Sequence, residues 1–320
     1  MKLYLPNSAF LGNFEAFVRH FDPSTTDSLE ISANKSWISV HPAVLTMVAA
    51  LGQTIQKNKI KCPPFEAKSK HYFERMRLFE FLQIKSGITM TEHDPTGRFI
   101  PITQIRNSDS LSKFITDMIP LLHLAPEHAE PIRYIVSELV RNVIEHSESP
   151  HGAFVAAQYY KKSNAIRIGI ADTGIGIKSS ISRSHIAADD LSALKLALTP
   201  GITGTTPKEG GTALNAGAGL FFIKSIATVN RDFFVIYSGS ALYKLLKSRS
   251  TKRLSLHANP FEDRHTALSG LPHWQGTVVG IDLALDENEA FTKFLDRVRE
   301  TYSEAVRTRR RERHRRPRFL

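Results

Sequence analysis

At 320 residues, 42% hydrophobic and 23% charged, the chain is long enough for two globular domains. Its single cysteine, Cys62, excludes an intrachain disulfide, and its longest apolar stretch, PAVLTMVAAL, falls short of the ~20 residues a membrane span needs. Net charge is +11, but Arg307–Leu320 carries eight Arg against one Glu, a net of +7 that leaves +4 for everything before it. MKLYLPNSAF lacks a charged segment followed by an unbroken apolar run, so the expectation is a cytoplasmic protein with no membrane partner.

Residues 1–92 read as a small separate α/β unit. LEIS and SWISV are short strand candidates, HPAVLTMVAALGQTIQKN is a helix with Pro42 in its first turn, and FEAKSKHYFERMRLFEFLQ is a second helix. This order of strands and helices resembles STAS-like domains, which bind partner ATPases in bacterial switches and so imply a protein partner for this unit. Ser39-Val40-His41-Pro42 departs from the Ser or Thr that switching members carry at a helix start. Residues 93–107, with Pro95, Gly97 and Pro101, form a connector that adds a strand at most.

A helix then covers SDSLSKFITDMIPLLHL, capped by Ser108 or Asp109. The next, containing IVSELVRNVIEHS, has Ile132, Ile135, Val136, Leu139, Val140, Val143 and Ile144 on one buried stripe. Glu138, Asn142 and His146 follow at i+4 steps on a polar strip. An amide oxygen is a hard ligand for Mg²⁺, and a carboxylate one turn away can orient or deprotonate water. His146 reads as a structural histidine on the same strip.

GAFVAAQYY and AIRIGIA form an antiparallel hairpin through KKSN. Ile166, Ile168 and Ile170 alternate onto one face, and Asp172 continues that parity into the buried space. A buried carboxylate there can accept from an exocyclic amine, and Gly174 and Gly176 let the backbone turn beside a flat ring. The excursion over 178–216 ends in TPGITGTTPKEGGTAL, with four Gly and five Thr between Thr199 and Leu214. Beside a phosphate site it reads as a nucleotide lid. NAGAGLFFIKSIA then opens a helix at Gly217, Gly219 and Leu220, whose free N–H groups form an anion seat.

RDFFVIYSG is a strand, LYKLLKSRSTKRLSL a strand–turn–strand, and TVVGIDLAL the last strand, entered through Gly276-Thr277. A helix over 291–306 precedes the Arg-rich tail, 307–320, for which nonspecific nucleic acid is the expected partner. No Gly-Lys-Ser/Thr of a P-loop and no HExxH spacing occurs.

The ordered set ELVRN, DTGIG and NAGAGL resembles the N box and two glycine boxes of the GHKL superfamily: gyrase-type topoisomerases, heat-shock chaperones, histidine kinases and mismatch-repair ATPases. The resemblance implies a two-layer α/β sandwich of the GHKL (Bergerat) type over 108–290, binding ATP and Mg²⁺. In that family's roles Asp172 reads the adenine amine, Asn142 holds Mg²⁺ and Glu138 is the general base. Gly217, Gly219 and Leu220 seat the phosphates, and Thr277 joins the adenine side. A complete histidine kinase does not fit, because His93-Asp94 is followed at once by Pro95, and no acceptor hairpin is present. The expected function is a slow ATPase working as an ATP-driven conformational switch, with an ATP-dependent homodimer as a further expectation. The alternatives are a Ser/Thr kinase of the anti-sigma-factor type and a nonenzymatic ATP-sensing module.

Overall fold

The computed structural model describes residues 1–88, 99–208, 218–248, 255–285 and 291–314. The chain begins with β1 (Lys2–Leu5), β2 (Ser8–Ala9), α1 (Phe14–Val18), β3 (Leu29–Ala33), β4 (Ser39–Val40), α2 (Pro42–Thr54) and β5 (Ile60–Lys61). β1, β3 and β5 make a parallel three-stranded sheet, while β2 pairs with β4. The helix expected over 65–83 is two short helices, α3 (Lys70–Arg75) and α4 (Leu78–Phe81). Arg77 stands between them at φ 61°, a left-handed conformation that interrupts the helical ladder.

Next come β6 (Phe99–Ile105), α5 (Ser108–Lys113), α6 (Pro126–Asn142), β7 (Ala153–Tyr160), β8 (Ala165–Asp172), α7 (Gly176–Ile181) and α8 (Asp190–Ala197). The chain continues through α9 (Gly219–Val229), β9 (Phe234–Gly239), β10 (Ala241–Leu245), β11 (His265–Leu268), β12 (Trp274–Ala284) and α10 (Phe291–His314). β6 occupies the second half of the expected connector; residues 93–98 lie outside the described residues. The cap of α5 is Asn107, not Ser108 or Asp109: its Oδ1 accepts from the Ser110 N–H at 2.9 Å. β10 pairs with β11, not with a strand inside LYKLLKSRSTKRLSL, whose residues 249–254 lie outside the described ones.

Seven strands form one sheet in the order β11-β10-β9-β12-β8-β7-β6, with every pairing antiparallel. Ile166, Ile168, Ile170, Val279 and Ile281 share one face and one core with Ile132, Val136 and Leu139 of α6 and Ile223 of α9. The other face is covered as well, by the N-terminal segment, which adds a third layer to the sheet and the helices of the mixed α/β fold. Phe154, Ala156, Ala171, Tyr237 and Val278 share a core with apolar side chains of residues 1–88, including α2.

The reason lies in the composition of α2 and in two glycines. Every residue of α2 from Pro42 to Gly52 is buried, the pattern of a helix enclosed on all sides. Beneath it Gly280 and Gly169 are register partners on β12 and β8. A Cβ on Gly169 would stand 2.1 Å from the Ala43 nitrogen, so only glycine lets the helix backbone lie on the sheet here.

A buried polar cluster fixes the same junction. His41 caps α2 through Nδ1, which accepts from the Ala43 N–H at 3.0 Å. Its Nε2 lies 3.0 Å from Asp282 Oδ1, and the Arg167 guanidinium stacks over Phe10 and Tyr160 at 4.5 and 4.0 Å. Among the described residues no helix is long and apolar enough to cross a membrane.

Candidate functional site

Strand β8 carries Asp172 to its last position, where the i, i+2 parity of the isoleucines turns the carboxylate toward α6 and α9. Asp172 is 2% exposed, and its Oδ1 accepts from the Gly174 N–H at 2.8 Å. Thr277, opposite it in the ladder, supplies a second backbone donor. Burial nevertheless dominates and raises the Asp172 pKa to about 7, against the pull of those two N–H groups.

The turn after Asp172 is pressed against the end of α6. A Cβ on Gly174 would meet the Ser147 carbonyl oxygen at 2.0 Å, and the Ile175 N–H donates to that same oxygen at 2.7 Å. Gly176 sits at φ 75°, where glycine alone is unstrained. Ser238 Oγ locks the turn from the other side, donating to Gly276 O at 2.6 Å and accepting from Ile177 N–H at 3.0 Å.

Between this turn, α6 and α9 lies a cleft of about 350 Å³. Glu138, Asn142, Asp172, Gly176, Gly219, Leu220 and Thr277 all line it, with Ile170, Ile236 and Val279 as apolar floor. His146 lines it too. Gly174 does not face the cleft and acts through the turn. Gly217 lies outside the described residues.

The first residue of α9 is packed against the polar strip of α6. A Cβ on Gly219 would lie 2.8 Å from Glu138 Oε2 and 3.7 Å from Asn142 Nδ2, so any side chain there would fill the space beside both groups. Burial raises the pKa of Glu138, Arg141 opposes that rise and Glu145 adds to it. The cleft thus offers a buried acceptor at one end, and a helix N-terminus with a carboxylate and an amide at the other. Among the described residues no three His, Cys, Asp or Glu side chains cluster to hold a metal. A Mg²⁺ at Asn142 would depend on phosphates and water for its remaining ligands, as this ion often does.

The described part of the expected lid, Thr199–Lys208, contributes Ile202, Thr203 and Gly204 to the cleft wall. Ser184 Oγ donates to Gly204 O at 2.8 Å, and His185 Nε2 lies 3.0 Å from Thr203 O. Residues 209–216 of that lid lie outside the described residues.

Sequence reasoning missed Tyr134, which lines the cleft one turn before Glu138; continuing the i+4 strip backwards would have found it. It also missed Ser147, Ser238 and Trp274, whose Nε1–H donates to the Asp172 carbonyl at 3.2 Å. Their contacts join residues far apart in the chain, and no local pattern announces them. No family model matches the chain, and no curated protein matches it.

Proposed function

We propose that this chain binds Mg·ATP in the cleft and hydrolyses it slowly, as an ATP-driven conformational switch. The observation that carries the reading is convergence: Asp172 from β8, Glu138 and Asn142 from α6, and Gly219 from α9 line one cleft. Each stands on the element its proposed chemistry requires, in the chain order of the GHKL boxes.

Asp172 would accept from the adenine amine in a dry pocket, where such a bond to a carboxylate is strong. The α9 N-terminus would hold phosphate oxygens through its free N–H groups. Asn142 would offer its side-chain oxygen to Mg²⁺, which when bound supplies charge neutralisation at the phosphates. Glu138, made more basic by burial, would take the proton from the attacking water.

The test is turnover of γ-labelled ATP together with calorimetry on Glu138→Ala. The variant should bind Mg·ATP as wild type does while hydrolysis falls ~10²–10⁴-fold, the effect of losing a general base. Wild-type protein that binds no nucleotide would sink the reading. Label that appears on a co-purified protein, with no free phosphate released, would replace the ATPase with a kinase.

A further inference from the structure

We infer that α10 is a nucleic-acid-binding arm, and that its grip on phosphates competes with a contact, Arg309 to Pro200, that holds the cleft wall. The inference rests on the nucleotide reading above for its second half only. α10 continues to His314, past the expected end at residue 306, and its two sides differ. Val298 and Val306 are buried, and Tyr302 between them packs on Phe222 of α9 with ring centroids 6.2 Å apart. Arg307 and Arg311 are exposed. Four residues apart, they lie ~6 Å from one another along the axis, on one outward strip.

Arg309 turns the other way. Its guanidinium donates to the carbonyl oxygen of Pro200. Pro200 lies between Ala197 and Ile202, both of which line the cleft. α10 therefore touches the elements of the cleft from behind in three places, through α6, through α9, which begins at Gly219, and through the loop after α8.

The composition of the sequence from Arg307 onward selects the partner. Residues 307–320 hold eight Arg and no Lys, and the planar guanidinium grips phosphate with paired donors. An anionic membrane surface is disfavoured, because a helix that lies in a bilayer interface must present an apolar face. In α10 that face is already occupied by α6 and α9. No base-reading motif accompanies these arginines in the sequence, so the contacts are to the backbone and are nonspecific.

A phosphate is a stronger partner for a guanidinium than the neutral Pro200 carbonyl, one of the contacts of Arg309, taken by itself. Nucleic acid that recruits Arg309 releases Pro200 and loosens the wall that carries Ile202 and Thr203. A nucleotide held against that wall keeps Arg309 in place. Each ligand then weakens the other by the same factor, as linkage requires.

The experiment uses full-length protein, fluorescein-labelled duplex DNA and single-stranded RNA read by anisotropy, and Mg·AMPPNP affinity read separately by calorimetry. Wild type should bind both nucleic acids, with affinity falling steeply as salt rises. Arg307→Ala/Arg311→Ala should weaken that binding at least tenfold and leave AMPPNP affinity unchanged. Saturating Mg·AMPPNP should weaken DNA binding about fivefold or more in wild type. In Arg309→Ala, and in Arg309→Gln should the first variant melt early, the nucleotide should have no effect on DNA. Absence of binding to DNA and RNA, or binding that survives the double substitution, overturns the arm. Binding to phosphatidylserine vesicles instead of nucleic acid overturns it in favour of a membrane. DNA binding that is unchanged or tightened by bound AMPPNP overturns the competition alone. Calorimetry that finds no nucleotide binding removes the cleft reading and the competition together, while the DNA titrations still decide the arm.

Discussion

Asp172 illustrates how a group proposed to bind a ligand can work against the fold that holds it. Its folded pKa of about 7 lies above the 3.8 of an unfolded carboxyl, so the native state binds the extra proton. Its contribution to stability is therefore intact below pH 4 and is lost as pH rises through 7, by about 1.4 kcal/mol for each pH unit crossed in between. Asp172→Asn removes that cost. The variant should gain in melting temperature over wild type at pH 8 and gain far less at pH 5, while the ATP binding proposed for wild type should disappear at pH 8. Parallel melting curves across that range would mean that Asp172 is not the buried acid described here. If Asp172 reads adenine as proposed, the same titration predicts that wild-type affinity for ATP drops as pH falls below 7, because a protonated carboxyl no longer offers the amine a charged acceptor.

At the scale of elements, α9 does two jobs through residues one turn and a half apart. Gly219 and Leu220 line the cleft, and Lys224, 1% exposed, donates to Asp263 and to the His257 carbonyl at 2.9 Å. Burial pulls the Lys224 pKa down, and the Asp263 carboxylate holds it charged. This pair ties the helix to the segment before β11. Asp263→Ala leaves a buried ammonium without its counter-charge and should cost about 3–5 kcal/mol. Lys224→Met/Asp263→Leu should recover most of that loss, since the apolar pair needs no counter-charge; a double variant as unstable as the single would disprove the pairing argument. Much at this scale was legible in the sequence. The strip Glu138–Asn142–His146 and the parity of Ile166 to Asp172 follow from helical and strand periods, and both lead to the cleft. The Lys224–Asp263 pair was not legible, because 39 residues separate partners that neither period relates. Nor was the break at Arg77, since nothing local marks a left-handed arginine.

For the molecule as a whole, the decisive feature is that residues 1–88 and the large sheet share a core. PAVLTMVAALG is apolar on every side, which a helix at the edge of a small unit does not need. That sign of a third layer was present in the sequence. What the helix covers was hidden, because Gly169 and Gly280 become neighbours only through the β8–β12 register. The junction is also where pH acts on the assembly. His41 is fully buried, and burial lowers its pKa below 6.5 despite the opposing hydrogen bond to Asp282; Arg167 nearby lowers it further. Nδ1 must stay unprotonated to accept from Ala43, so the neutral Nε2–H tautomer suits both partners. Below 6.5 the unfolded chain takes up a proton that the folded chain refuses, so stability contributed here is present above that pH and falls as pH falls below it. His41→Asn keeps a cap for α2 but loses Asp282. It should be less stable than wild type at pH 7.5 and should lose less of its melting temperature on going to pH 5.5. If wild type and variant decline in parallel over that interval, His41 is not the group that titrates, and the junction between α2 and the sheet is insensitive to pH.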